Sequence, residues 1–173
     1  MTSPADNGTR RTFLPEVEGL RAIAVGVVLL FHAKLGFTGG YVGVDVFFVV
    51  SGFLITGLLV RELETTGTIR FREFYARRAR RLLPAATLVL IVTIVLARLL
   101  LDRVRAHETA VDATWAAGFL ANFHFAIQGA DYFRRGAEPS LVQHWWSLAV
   151  EEQFYLVWPM ALAGLVWLRH RMM

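Results

Sequence analysis

The chain has 173 residues, 55% of them hydrophobic, with a mean hydropathy of +0.47, an average that soluble domains of this size rarely reach. It contains no cysteine, which excludes disulfides, thiolate metal sites and cysteine nucleophiles. The net charge of +4 is mild, yet seven arginines fall between Arg61 and Arg81 beside apolar runs; this is the positive-inside pattern of a membrane protein, and it requires no nucleic-acid partner.

Residues 1–13 are polar and read as a disordered cytoplasmic N-terminus. No cleavable signal is expected, because the first apolar run carries Arg21 and His32 and lacks a small-residue cleavage site. Candidate spans follow at about 17–35, 41–61, 82–101, 111–128 and 147–168, each near the roughly 20 residues that a helix needs to cross hydrocarbon. The expected fold is all-α, a polytopic transmembrane helical bundle of about five membrane helices. The fourth span is the weakest and reads as short or re-entrant. With the N-terminus inside, the cytoplasmic side collects Arg10, Arg11, Arg21, the arginines from Arg61 to Arg81, Arg134 and Arg135, 12 of the 18 basic residues. Pro84 is expected just inside the start of the third helix, where a missing N–H is harmless.

Ionisable groups at membrane depth are expensive and mark functional sites by default. Arg21 and His32 are eleven residues apart, so on a helix they return to nearly one face, separated by roughly 16 Å of rise. Either they line one cavity, or Arg21 snorkels to lipid phosphates while His32 caps the far end. Asp45 follows the glycine-rich "GFTGGYVG"; Gly39 and Gly43 form a GxxxG pair suited to close helix packing, with Ser51 and Gly52 as a further small surface. Asp45 pairs with an arginine or contributes to a site. The segment "RELETTGTIRFREFYARRARRLLP" reads as a loop, amphipathic in its second half, with Phe71, Phe74 and Tyr75 dipping into the interface. Its arginines anchor to lipid or bind an anion such as coenzyme phosphate.

On a helix starting near residue 144, His144, Ser147, Glu151, Tyr155 and Trp158 form one stripe by their 3–4–4–3 spacing. Glu152 lies about 100° away, so one carboxylate, Glu151, is expected to point into a cavity. Either the stripe lines a site or it is an interfacial cap. His107, His124 and His170 fall outside this grouping and receive no role.

The segments "PEVEGLRAIAVGVVLLFHA", "GGYVGVDVFFVVSGFLITGLL", "FREFYARRARRLLPA" and "HWWSLAVEEQFYLVWP" resemble, in order and spacing, those of the membrane-bound acyltransferase 3 family of bacterial O-acyltransferases. The resemblance runs from about Pro15 to Pro159. It implies transfer of an acyl group, often acetyl, from cytoplasmic acyl-CoA to a hydroxyl of an extracytoplasmic glycan such as lipopolysaccharide, exopolysaccharide or peptidoglycan. It also implies a bacterial inner-membrane location, with no tightly bound cofactor and no metal. Carried over by position, the family's Arg–x10–His motif falls on Arg21 and His32, and its arginine-rich motif on Arg77 and Arg80. Its "SLxxExQFY" segment falls on Ser147, Leu148, Glu151, Gln153, Phe154 and Tyr155. Family members resemble a bundle of about ten helices, so residues 14–173 correspond to the N-terminal half of the domain, with the remaining helices supplied elsewhere or by a second chain.

Acyl transfer from a thioester to an alcohol needs a base, charge stabilisation and a grip on the coenzyme. His32 is the expected base. Glu151 is its partner if the helices that carry them pack together, and Arg21, Arg77 and Arg80 would bind coenzyme phosphates. Asp45, His144, Ser147 and Tyr155 complete the substrate-binding set; Ser147 as an acyl-accepting nucleophile ranks below direct transfer. Membrane lipid, acyl-CoA and a glycan or lipid-linked sugar are the expected partners. Two other classes stay open: a proton-coupled transporter, and a non-catalytic membrane subunit that packs against another chain.

Overall fold

A computed structural model of the chain describes residues 15–33, 35, 39–130 and 139–172, the side chains of Ala130 and His170 apart. The segment expected to be disordered, 1–13, lies outside the described residues, as do Arg134 and Arg135. The described residues form six helices and no strand, which agrees with the all-α expectation. They are α1 (Pro15–His32), α2 (Val42–Thr66), α3 (Phe71–Leu100), α4 (Arg103–Ala117), α5 (Ala121–Ala130) and α6 (Trp145–Met172). Of these, α2 and α3 are long and apolar enough to cross a membrane. The chain divides into two compact units, Met1–Leu58 and Leu59–Met173.

In the first unit the small residues do what small residues do between helices. A Cβ built on Gly43 would stand 2.5 Å from the Ala24 carbonyl oxygen and 2.8 Å from Val28 Cγ2 of α1. The Cβ of Gly40 would collide with the Phe31 side chain, whereas Gly39 faces open space. The close approach therefore uses Gly40 and Gly43, not the expected pair of Gly39 and Gly43. Ala24 and Ser51 are buried.

In the second unit, the segment read as an arginine-rich loop is helical almost throughout. α2 continues to Thr66 and stops where Gly67 adopts φ 72°, its N–H donating to the Leu63 carbonyl at 2.8 Å. Glycine takes this left-handed conformation at little steric cost, which is why it ends helices. Glu62 reaches across the turn, its Oε1 accepting from Arg70 N and Nε at 3.2 and 3.1 Å. α3 then begins at Phe71, about three helical turns before its expected start near residue 82. Apolar side chains at 71, 74, 75, 79 and 82 recur at helical spacing, so the arginines are carried on the same rod as the span. Pro84 consequently sits well inside α3 and not at its start.

The expected fourth span, 111–128, is not one helix. α4 opens at Asp102, whose side chain accepts from Val104 N and Arg105 N at 2.9 and 3.1 Å, an N-cap. It closes at Gly118, after which Phe119 takes φ 54°. Phe119 N bonds the Ala116 carbonyl and Leu120 N the Trp115 carbonyl, both at 3.0 Å, so the orphaned end of α4 is closed by a left-handed C-terminal turn. α5 starts afresh at Ala121. A mostly small-residue core, Leu90, Ala113, Ala116, Ala121, Val142 and Ala149, packs α3, α4, α5, α6 and the chain just before α6 together.

Candidate functional site

The stripe predicted for α6 is organised by α3. Tyr155 is buried, 4% exposed, and its hydroxyl donates to Glu151 Oε1 one turn earlier. The Arg78 guanidinium lies over the Tyr155 ring, 3.3 Å from the centroid, and its Nη2 pairs with Glu152 Oε1 at 2.8 Å. Tyr75, one turn before Arg78, donates its hydroxyl to the Leu156 carbonyl at 2.7 Å. Two α3 side chains thus hold the middle of α6 through a cation–π contact, an ion pair and a hydrogen bond. Both glutamates are engaged: Glu151 by Tyr155 of its own helix, Glu152 by α3. Arg78 Nε is buried with no hydrogen-bond partner among the described residues.

Farther up the stripe, Ser147 Oγ donates to the His144 carbonyl at 3.0 Å. The His144 side chain is exposed and Trp158 half-buried. The two arginines selected from the sequence remain at the surface. Arg77 meets Glu73 at 3.5 Å and Arg80 Nε donates to the Ala76 carbonyl at 3.1 Å, both exposed. Arg78, which the sequence reading left in the general arginine cluster, is the one aimed at α6.

Arg21, His32 and Asp45 belong to the first unit. Arg21 is half-buried, 3.5 Å from Glu18, with its Cζ 5.3 Å from the centre of the Phe47 ring and its Nε buried without a hydrogen-bond partner among the described residues. His32 closes α1, exposed, its Nδ1 2.8 Å from the Val28 carbonyl oxygen. A carbonyl oxygen only accepts, so Nδ1 carries the proton and the basic lone pair resides on Nε2. Asp45 is exposed in the first turn of α2, where a carboxylate complements the helix dipole. No ion pair joins it to an arginine among the described residues; Arg10, Arg11, Arg134 and Arg135 lie outside them.

A second polar cluster lies where sequence reading assigned nothing. Asp112 is 7% exposed because it falls on the buried face of α4 with Thr109, Ala113 and Ala116. Its Oδ1 stands 2.8 Å from His124 Nε2 and 3.3 Å from Gln128 Nε2, and those two nitrogens are 2.6 Å apart. With the carboxylate ionised and the imidazole N–H on Nε2, His124 donates to Asp112 Oδ1; Gln128 Nε2 then meets a second donor across 2.6 Å, a clash that turning the amide over relieves by letting Oε1 accept from His124. The Trp115 ring stacks on His124, centroids 5.1 Å apart at 9°. The one available signal was spacing: Asp112 and Trp115 lie one turn apart, as do His124 and Gln128, and only the α4–α5 turn brings the pairs together. That turn is itself held from α6, where Gln153 Nε2 donates to the Phe119 carbonyl at 2.8 Å and exchanges hydrogen bonds with Asn122 at 3.0 Å.

An apolar groove of about 320 Å³ runs along α3, lined by Leu83, Ala86, Leu90, Ile94, Phe119 and Trp145 among others. It offers little that could move a proton. Among the described residues no three His, Cys, Asp or Glu side chains gather closely enough to hold a metal ion.

The described residues thus form a helical chain with two helices long and apolar enough for a membrane, an arginine-rich helix end and a Glu–Tyr–Arg cluster. The acyltransferase domain that defines the acyltransferase 3 family matches residues 14–172, and the chain belongs to that family. It is 35% identical over 162 residues to a peptidoglycan O-acetyltransferase of Listeria monocytogenes, covering 92% of this chain and 26% of that protein. It is 42% identical over 151 residues to a Bacillus subtilis protein provisionally named a peptidoglycan O-acetyltransferase, covering 87% of this chain and 24% of the relative. A Staphylococcus aureus protein provisionally named an O-acetyltransferase is 41% identical over 155 residues, covering 89% and 25%. The chain therefore spans about a quarter of the length of these curated relatives. No solved structure matches it.

Proposed function

We propose that this chain is the N-terminal part of a membrane-bound O-acyltransferase that moves an acyl group, most simply acetyl, from acyl-CoA to a hydroxyl of a cell-wall glycan of the peptidoglycan type. The family match over residues 14–172, with O-acetyltransferases among its relatives, is the observation that carries this reading. The enzyme resides in the bacterial inner membrane with its N-terminus in the cytoplasm and several helices besides α2 and α3 at membrane depth. Lipopolysaccharide and exopolysaccharide are the acceptors next in line.

His32 takes the proton of the acceptor hydroxyl through Nε2, since its Nδ1 lies against the Val28 carbonyl. The deprotonated oxygen attacks the thioester carbonyl, the C–S bond breaks, and the coenzyme sulfur leaves as a thiol with the proton that the imidazole took up. Arg77 and Arg80, exposed on successive turns of α3, suit the coenzyme's phosphates, as does the Arg21 guanidinium of α1. In the second unit Glu151, held by Tyr155, serves as a functional carboxylate with His144 and Ser147 in substrate contacts, and in the first unit Asp45 contributes a further substrate contact. Cells lacking the gene should lose base-labile acetyl esters from their wall, and the complete gene should restore them. The His32→Ala version should restore less than about a hundredth, the scale of a lost general base. Full restoration by that variant rules out the base assignment, and unchanged wall acetylation on deletion rules out the function.

A further inference from the structure

The Asp112–His124–Gln128–Trp115 cluster is absorbed neither by the helix packing nor by the roles above. All the bonds that Asp112 makes go through Oδ1, those of Gln128 through Nε2, and those of His124 through Nε2. Asp112 Oδ2, the outer atom of the Gln128 amide and His124 Nδ1 therefore have no partner among the described residues, and none of the three is sealed within the packing. With Nε2–H turned to the carboxylate, His124 Nδ1 faces outward, an acceptor on the neutral ring and a donor on the protonated one. The cluster thus offers a carboxylate oxygen, an imidazole nitrogen and the outer end of the Gln128 amide, none of them used by another described residue. Such a set suits a ligand rich in hydroxyl groups, which donate to the carboxylate and either donate or accept at the other two, whereas an anion would meet the carboxylate.

Trp115 supplies the second half of the argument. One face of its ring is covered by His124, and the residue is nonetheless 40% exposed. An aromatic face beside unused hydrogen-bonding groups binds molecules that are flat and apolar on one side and hydroxylated at the edge. A sugar ring has that form. The same pieces are fixed in place: Asp112 by the buried face of α4, His124 by the carboxylate and the stack, and the α4–α5 turn by Gln153.

We propose that this cluster is a sugar subsite for the acceptor glycan, with Trp115 as its stacking platform and Asp112, His124 and Gln128 as hydrogen-bond partners for ring hydroxyls. The subsite rests on the glycan acyl-transfer reading but not on His32, since it binds the acceptor and takes no proton from it.

The test uses the complete membrane protein, acetyl-CoA and a chito-oligosaccharide tetramer as acceptor. Trp115→Ala and His124→Phe should each raise KM for the oligosaccharide by about tenfold, the loss of one hydrogen bond or stacking contact, with kcat moving far less. Trp115→Phe, which keeps a platform, should recover most of the affinity. An unchanged KM in both Trp115→Ala and His124→Phe overturns the subsite while leaving the acyl-transfer reading standing. So does a fall in kcat at constant KM, which would place His124 in the chemical step. If the unaltered protein acetylates no glycan, the acyl-transfer reading fails by itself. Saturation-transfer NMR of the tetramer against the unaltered protein and Trp115→Ala then decides the subsite: a signal lost in the variant supports it, and equal or absent signals overturn it.

Discussion

Arg78 shows how one side chain can be placed by chemistry that sequence spacing does not reveal. Its guanidinium is planar and weakly hydrated, so it can lie flat on Tyr155 and still turn one nitrogen to Glu152. With Arg78 26% and Glu152 18% exposed, the pair is shielded enough for removal of one partner to strand the other's charge. We expect Arg78→Ala to destabilise the second unit by about 1–3 kcal/mol and Glu152→Ala by a similar amount. The double variant should cost less than the sum, because each single change already breaks the same contact. Thermal melting of the purified protein and its three variants in one detergent measures this. Strict additivity would mean that the ion pair contributes nothing. Arg78→Lys should recover little, since an ammonium cannot both stack on the ring and reach the carboxylate.

At the scale of elements, the first-unit helix contact makes a prediction with its own control. A Cβ on Gly43 would stand 2.5 Å from the backbone of Ala24, which cannot give way as a side chain tip can, while one on Gly57 meets nothing within 4 Å. Gly43→Ala should therefore cost about 1–3 kcal/mol by overpacking. Gly57→Ala, at an interior position of α2, should gain up to about 1 kcal/mol from helix propensity. Equal effects of the two in thermal melts would contradict the close packing of α1 on Gly43. These elements also show what was legible beforehand. The start of α6 and its Glu151–Tyr155 spacing followed from helical periodicity, and the structure places both as the period requires. The break in 111–128 did not follow. Its composition is uniformly apolar enough for one span, and the left-handed residue that ends α4 is Phe119, one position after the glycine that would have announced it. The arginine segment was misread for the converse reason: its charge density suggested a loop, while apolar residues at helical spacing decided for α3. Arg78–Glu152 and Asp112–His124 join residues far apart in the chain or across an unforeseen turn, and no local pattern encodes such meetings.

For the whole molecule, composition, charge clustering and the four quoted segments were sufficient to reach the family, and the family match then covers residues 14–172. The account makes the chain one part of a larger enzyme, in keeping with relatives about four times its length. Its central claim is a covalent one: an acyl group leaves acyl-CoA and appears as an ester on a wall glycan. The most direct measurement incubates membranes containing the complete protein with acetyl-CoA labelled in the acetyl group and with peptidoglycan fragments. The account predicts label on the glycan, released by mild base as acetate and absent with the His32→Ala protein. Label that stays on the coenzyme, or that reaches the glycan equally in membranes without the protein, would contradict it.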